Sequence, residues 1–388
     1  MGKPQKIVIA IVVIAVIGGG IYFLTHRKKT TNKQIDINGP TEQSGPANSG
    51  NVSPISGLSC ADWNRRPFAV MQPSDVSARP LSGLSDADMV VEMPAVYGSI
   101  TRLMAFYICG NPEKIGSVRS SRHDYIPIAA GLDAIYVHWG GSHFALDKLK
   151  QGIIDDMNCN NDGGKSAAQY CYREAQTGPM ISDDTGYTKL ATLIQGAKNF
   201  GYRLEGKLIG YPHQAEAAAD QRPAGGRLRI NYPSPWNEIF DYDKTTNSYV
   251  RTWGKSVDTD RNNGKNITPK NIVVMVAEGA VMETQYANFQ VGDPWYDQGD
   301  SGTAYFYMNG QQTQGTWKKD KSNLNSKLTF FDNSGQEVKF VPGQIWVSIV
   351  DPGIGVKWEL SSASAVPAST AGAATSTNST SNTTSPQN

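Results

Sequence analysis

The sequence lacks an excess of charge of either sign, because 36 lysines and arginines stand against 35 aspartates and glutamates. Nucleic-acid-binding proteins usually carry a basic excess or a basic stripe, so we expect no nucleic-acid partner. The chain also lacks the G-x-S-x-G, phosphate-loop and H-E-x-x-H patterns. Those patterns would have indicated a serine hydrolase, a nucleotide-binding enzyme or a zinc protease. No motif therefore defines a reaction, and we expect no cofactor.

Cysteine is scarce, and no two of the four cysteines have the two-residue spacing that is typical of zinc sites. An even number of cysteines in an exported protein favours disulfides. Cys159 and Cys171 flank a flexible polar stretch and are the first pair that we predict, and Cys60 with Cys109 follows by elimination. Four buried free thiols are the alternative.

Long apolar runs are also rare, and residues 7–24 form the one that contains no charge. At about 1.5 Å per residue it nearly spans a hydrocarbon core of roughly 30 Å. A cleavable signal peptide is the alternative, but its apolar core would be shorter and would end in a small-x-small site. We therefore predict a single-pass membrane anchor. Basic residues flank both ends, so the charge rule is nearly balanced, and we place the N terminus in the cytoplasm because the later residues resemble an exported protein.

The rest of the chain divides by composition and pattern. Apolar runs such as DMVVEM and RLMAFYIC alternate with helix-like stretches such as HDYIPIAAGLDA, which predicts an α/β layer sandwich. Further along, segments such as RLRINY, NIVVMVA, EVKF and QIWVSIV are strand-sized and separated by turns, which predicts a mostly β domain. The predicted divisions, in chain order, are a membrane anchor (1–29), a disordered spacer (30–64), the α/β domain (65–204), a linker (205–226), the β-rich domain (227–352) and a disordered Ser/Thr-rich tail (353–388).

Two arginines lie in the stretch EKIGSVRSSRHDYIP, where a short apolar run meets a helix-like pattern. Ser121 and Asp124 have the spacing of a capping box, which predicts that a helix starts here. A helix N-terminus presents free backbone N–H groups, and the planar guanidinium groups of Arg119 and Arg122 match phosphate or carboxylate oxygens. The combination predicts an anion-binding site.

A second turn supports this hypothesis. The run AIYVHWGGSHFALDKLK leads from a strand through Gly140, Gly141 and Ser142 into a helix. Ligands of open α/β sheets bind outside the carboxyl ends of strands, so the two turns could share one crevice. We expect His138 and His143 at its rim.

Each of these signals has a simpler explanation. The arginines could pair with Asp86, Asp88 or Glu92, and the two glycines could make only a tight turn. Several nearby side chains could in principle bind a metal, but their spacing matches no known metal motif, so we predict no metal site. These side chains are His123, Asp124, His138, His143 and Asp147.

A series of segments along the chain carries a resemblance to a known family. They include RPFAVM, ARPLSGLSDADMVVE, GSITRLMAFY, EKIGSVRSSRHDY, LDAIYVHWGGS, PSPWNEIFDYDKTTNSYVRTWG, GTAYFYMNGQQTQGTWKK and VPGQIWVSIV. In this order they resemble the YerB-like proteins, a bacterial family of unknown function, and the likeness covers roughly residues 65–352. It implies a membrane-attached extracytoplasmic protein with two domains, and it implies no reaction. Members of the family are often lipoproteins, whereas this chain has an apolar run without a lipid-receiving cysteine.

The S-x-R-x-D-Y-I-P pattern and the later Gly-Gly turn are also similar to the LytR-CpsA-Psr proteins. That family transfers glycopolymers from polyprenyl-phosphate carriers to peptidoglycan. This likeness implies that Arg102, Arg119 and Arg122 would hold a pyrophosphate, and that Asp88 would assist a metal or the acceptor.

Three functions follow from these observations. The first is the binding of an anionic glycan, a polyprenyl phosphate or an envelope protein in the arginine-rich crevice. The second is an envelope phosphotransferase, and the third is a non-catalytic scaffold for envelope proteins. The predicted anion-binding residues are Arg102, Arg119, Ser120, Ser121, Arg122, His138, Gly140, Gly141 and Ser142, with Asp88, His123, Asp124 and His143 as accessory residues.

Overall fold

The structure, a computed structural model, describes residues 50–96, 98, 100–285, 288–291 and 300–361. The predicted anchor over residues 1–29 lies outside these residues. Within the described ranges, no helix is long and apolar enough to cross a membrane. The α-helices in these ranges are α1 (Tyr125–Gly131), α2 (His143–Leu149) and α3 (Leu190–Asn199).

The described chain is rich in strands. The strands that precede residue 205 are β1 (Phe68–Pro73), β2 (Met89–Pro94), β3 (Thr101–Tyr107), β4 (Ile115–Gly116), β5 (Ile135–His138), β6 (Asp156–Asn158), β7 (Cys171–Arg173) and β8 (Gly186–Thr188). The later strands are β9 (Gly225–Ile230), β10 (Glu238–Asp243), β11 (Ser248–Trp253), β12 (Ser256–Val257), β13 (Asn271–Val276), β14 (Gly279–Glu283), β15 (Asn288–Val291), β16 (Ser301–Met308), β17 (Gln311–Lys318), β18 (Thr329–Asp332), β19 (Ile345–Val350) and β20 (Val356–Ser361).

One large sheet contains ten strands in the order β18-β17-β16-β13-β19-β2-β3-β1-β5-β6. Strands from both halves of the chain meet where β19 runs parallel to β2, with Ile345 opposite Met89. Both faces of the central strands are buried, which explains their nearly continuous apolar sequences. The predicted linker at 205–226 therefore does not separate two independent sheets.

Alternate residues of the central strands face two different hydrophobic clusters. Met71 and Val91 belong to a cluster that includes most of helix α1. Val70 and Val90 belong to the other, which includes residues of a five-stranded sheet with the order β12-β11-β10-β9-β20. The fold is thus mixed α/β, with helices α1 and α2 on one face of the large sheet and the second sheet together with helix α3 on the other.

The spacer and the tail that were predicted to be disordered both include residues that belong to the fold. The spacer was expected to reach residue 64, but Ile55 is fully buried in the core and Cys60 is in a disulfide. The tail was expected to begin at residue 353, but β20 pairs with β9 along six residues. Core packing of Ile55 and the pairing of β20 with β9 include these segments in the fold, and their own composition does not indicate such contacts. The predicted strand EVKF forms only isolated bridges, at Glu337 and Phe340.

Both predicted disulfides are present. Cys60 is bonded to Cys109, and Cys159 is bonded to Cys171, and no cysteine is free. The second bond closes a loop around the polar segment that its composition had marked as flexible, and the pairing is the one that the sequence predicted.

Candidate functional site

The start of helix α1 differs from the prediction. The helix begins at Tyr125 with Asp124 at the N-cap position, and no side chain caps it. Ser121 is fully buried, and its hydroxyl lies 2.9 Å from the Tyr136 hydroxyl instead of bonding the first turn. The predicted capping box is therefore wrong, because Ser121 lies one full turn too early.

The two predicted turns do lie side by side. Ser121 forms a parallel bridge with Gly141, and the Ser121 amide donates to the Gly140 carbonyl. Helix α2 starts as predicted, with Ser142 as N-cap accepting a hydrogen bond from the Ala145 amide. However, the Gly140 amide donates to the Asn158 side chain and the Ser142 amide donates to the Ser121 carbonyl. These two N–H groups are used within the fold, so the glycine turn serves mainly to pack the segments.

The three predicted arginines lie near one another, and two of them contact Asp75. The Oδ2 atom of Asp75 lies 3.1 Å from Arg102 Nη1 and 3.6 Å from Arg119 Nη2. Arg119 Nη1 also lies 2.8 Å from Asp183, whose side chain is 61% exposed. Arg122 is close enough to both other arginines to affect their electrostatics. We call Arg102, Arg119 and Arg122 the arginine cluster.

Burial and mutual repulsion both act on this cluster. Burial, together with the positive charges of Arg119 and Arg122, lowers the pKa of Arg102 to about 10, although Asp75 opposes the shift. Burial also lowers the pKa of Arg122, and Asp124 opposes the shift. Holding like charges together costs free energy unless a negative group offsets it. Asp75 and Asp183 supply part of that offset.

Asp184 is a third carboxylate near Arg119, in addition to Asp75 and Asp183. Asp184 is fully buried, and its Oδ1 lies 3.7 Å from Arg119 Nε, beyond hydrogen-bonding distance. Its other oxygen accepts a hydrogen bond from the Ser77 hydroxyl at 2.6 Å. Asp75, Asp183 and Asp184 were not predicted, because no sequence pattern links these distant positions to the arginines.

The histidines occupy three different environments. His138 was predicted at the rim, but it is fully buried, with Nε2 3.2 Å from Asp156 and Nδ1 2.8 Å from the Gly140 carbonyl. His123 is buried, and its Nδ1 lies 3.3 Å from Asp124. His143 is half-exposed and lies 3.4 Å from Glu283 of strand β14. Within the described ranges, no three acidic, histidine or cysteine side chains are grouped so that they could hold a metal ion.

Neither Asp88 nor Glu92 pairs with the arginine cluster. Asp88 is 3% exposed and accepts hydrogen bonds from the Ser56 hydroxyl and from the amides of Ile108 and Cys109. The Asp88 carboxylate therefore bonds the segments near the Cys60–Cys109 disulfide and not the residues of the predicted crevice. Glu92 instead lies 2.8 Å from Arg251.

A buried ion network joins the two sheets and was not predicted. Arg251 is fully buried and pairs with Glu92, Glu238 and Asp258, and its guanidinium stacks on Trp346 at 4.4 Å. Burial and the charge of Glu92 raise the pKa of Glu238 well above its ordinary value. The network links β2 of the large sheet to β10 and β11 of the smaller one.

Comparison with known proteins identifies the relatives of this chain. Residues 55–203 match the family described as the N-terminal domain of a protein of unknown function, DUF3048, and residues 228–347 match its C-terminal domain. The "Putative lipoprotein YerB" of Bacillus subtilis (strain 168) is 29% identical over 305 residues, covering 77% of this chain and 86% of the relative. The crystal structure of YerB from Bacillus subtilis has a TM-score of 0.65 and 26% identity, covering 79% of this chain and 99% of that chain. The resemblance to the YerB-like proteins that was inferred from the sequence is confirmed.

Proposed function

The chain belongs to the DUF3048 family, and from that premise we propose that it is an extracytoplasmic protein, held at the membrane by residues 1–29, that binds an anionic ligand of the cell envelope through the arginine cluster.

Two observations support an extracytoplasmic location. Both disulfides are of the kind that persists in oxidising compartments rather than in the cytosol. The relative from Bacillus subtilis is named a lipoprotein, which is a protein held at the outer side of a membrane by a lipid. This chain has no cysteine directly after its apolar run, so the run itself would serve as the anchor.

The proposal of anion binding is carried by the proximity of three guanidinium groups. Arg102 and Arg119 share one Asp75 oxygen, and burial together with repulsion from Arg119 and Arg122 lowers the pKa of Arg102. An incoming phosphate or carboxylate would offset that repulsion. Asp183 is largely exposed, so a ligand could displace it from Arg119 at small cost.

The ligand class follows from the fork of the guanidinium group, which binds planar or tetrahedral oxyanions in two-point contacts. A polyprenyl phosphate and an anionic envelope glycan both present such groups. A glycopolymer phosphotransferase would use the same arginines on the same kind of ligand, and a scaffold would use none of them. Binding measurements separate the scaffold from the other two, and turnover of a bound polyprenyl-linked glycan separates those two from each other.

The test measures affinity and stability on the same variants. Arg122→Ala is expected to weaken binding of a short-chain polyprenyl phosphate by about tenfold or more, because a charge-assisted contact contributes about 1.5–3 kcal/mol. Arg122→Lys is expected to restore only part of the affinity, since lysine lacks the fork. Arg229→Ala is the matched control, because Arg229 lies on β9 of the other sheet and is partly exposed.

Asp183→Asn is a variant that should raise the affinity for the polyprenyl phosphate rather than lower it. Removing this exposed carboxylate frees Arg119 Nη1, so we expect tighter binding of the polyprenyl phosphate. If Arg122→Ala lowers the melting temperature while affinity stays at the wild-type value, and Asp183→Asn gains nothing, the arginines only hold the fold together. That result would contradict the proposal.

A further inference from the structure

A cavity of about 720 Å³ lies beside strands β11 and β12, and none of its lining residues belongs to the arginine cluster. One wall is the segment that contains Val76, Arg79 and Pro80, and the other is the β11–β12 turn with the chain around Pro235. This volume is within the range of about 300–1,000 Å³ that is typical of small-ligand sites. Asp75, which contacts Arg102 and Arg119, comes directly before Val76 of this wall, so the two sites use different residues of neighbouring segments.

Flat apolar groups alternate with short polar side chains around this cavity. Pro80, Pro235 and Trp253 supply ring surfaces, and Arg79 stacks its guanidinium on the Trp253 ring at 4.3 Å. The short hydroxyl and amide side chains between them are those of Ser234, Asn237, Ser256 and Thr259. This alternation matches a ligand that has apolar ring faces and hydroxyl edges.

The charges around the cavity leave a positive excess. Arg79 binds both oxygens of Asp258 with one nitrogen, at 2.7 and 2.8 Å, and Arg251 pairs with the same carboxylate. Arg251 does not line the cavity and also pairs with Glu92, so at the cavity Asp258 offsets Arg79. Lys255 is exposed on the rim and makes no ion pair with any residue that the structure describes. A ligand with a negative group is favoured near Lys255.

We propose that this cavity is a saccharide-binding site that takes a short acidic glycan, with sugar rings against Pro80, Pro235 and Trp253 and a carboxylate at Lys255. An extended peptide fits less well. A peptide added to the sheet would bind along an edge strand, and β12 offers only Ser256 and Val257. This inference is independent of the proposed function of the arginine cluster.

The test is calorimetric titration of the intact protein with three probes: tetragalacturonate, neutral cellotetraose and an aspartate tetrapeptide. We expect tetragalacturonate to bind, cellotetraose to bind at least tenfold more weakly, and the peptide not to bind. Lys255→Gln is expected to weaken tetragalacturonate about tenfold, and Val257→Glu, which places a negative charge on the rim, is expected to abolish binding.

Lys339→Gln is the matched control, because Lys339 is exposed and does not line the cavity. Arg122→Ala should also leave tetragalacturonate affinity unchanged, which separates this site from the arginine cluster. The inference is overturned if no probe binds, or if both rim variants bind tetragalacturonate like the wild type. Binding of the peptide in preference to the sugars would assign the cavity to a peptide instead, and equal binding of both sugars would remove the requirement for an acid.

Discussion

Arg251 shows most clearly how single residues determine this structure. It is the centre of a fully buried network with three carboxylates, and nothing in its local sequence, SYVRTWG, distinguishes it from an exposed arginine on a strand. Breaking a buried ion pair by removing one partner typically costs about 3–5 kcal/mol, because the remaining charge is left without compensation. We therefore regard this network as part of the core rather than as a surface feature.

Glu238→Gln tests the protonation of that network. Because the folded pKa of Glu238 is raised, its stabilising effect is full below the ordinary value of 4.5 and is lost as the pH rises toward the raised pKa. Glutamine imitates the protonated form and does not titrate. The free energy of unfolding of Glu238→Gln, relative to wild type, should therefore rise between about pH 5 and about pH 8.

Urea unfolding at both pH values measures this difference. Asp258 has a lowered pKa and loses its contribution only as the pH falls through its folded value, so it affects both proteins alike. Glu238→Ala is the control, since it removes the acceptor of Arg251 and should destabilise the protein at both pH values. A difference that is flat across this range would mean that Glu238 is ionised in the folded protein.

At this scale the sequence predicted residue types better than residue partners. It predicted Arg102, Arg119 and Arg122 as neighbours, and their electrostatic coupling agrees with that placement. It misplaced His138, which lies inside the sheet. A side chain's partner depends on which strands become neighbours, and no local spacing contains that information.

At the scale of elements, most strands and the first two helices follow from local pattern. PFAVM, DMVVEM and NIVVMVA are strands because they are apolar and β-branched, and helix α2 begins at Ser142 because its hydroxyl caps the first turn. EVKF and the β20 segment were assigned wrongly, because a short polar segment becomes a strand only when a partner such as β9 is adjacent.

The two disulfides should stabilise the fold unequally. The Cys159–Cys171 bond spans 12 positions and the Cys60–Cys109 bond spans 49. On the loop-entropy estimate these bonds contribute about 3 and about 4 kcal/mol. Replacing each pair by alanine should therefore lower the free energy of unfolding more for the Cys60–Cys109 pair.

Urea unfolding of the two double variants, with the oxidised wild type as reference, tests this order. The comparison requires that each variant keeps the remaining bond, which non-reducing peptide mapping verifies. A larger loss for the Cys159–Cys171 pair would show that native contacts around that loop, rather than loop closure, dominate.

At the scale of the whole molecule, the sequence pattern predicted an α/β region and a mostly β region, but not how the two regions combine. Residues 65–204 alternate strands and helices, and residues 227–352 are mostly strands, as the sequence indicated. Yet both regions contribute to one ten-stranded sheet, joined by the parallel pair β2–β19. Fully apolar strands such as β19 signalled burial on both faces, but the identity of their neighbours is a long-range property.

This arrangement has a consequence for the proposed site. The arginine cluster lies in the first half of the chain, while the ion network that closes the other face of the same sheet needs Arg251 and Glu238 from the second half. Both halves are therefore required for the sheet that positions β3 and Arg102. We therefore predict that both halves of the chain unfold together as one cooperative unit, which carries the anion site.

The most direct test of that claim is to identify what the protein carries from its native membrane. The intact chain is purified in mild detergent, and the bound lipids, polyprenyl phosphates and glycans are identified by mass spectrometry for wild type, Arg119→Ala/Arg122→Ala and the control Arg229→Ala. We predict an anionic envelope molecule on the wild type and on the control, reduced by about tenfold or more on the double variant. The same molecules at the same level on all three proteins would contradict the account, as would a wild-type protein that carries no anionic molecule.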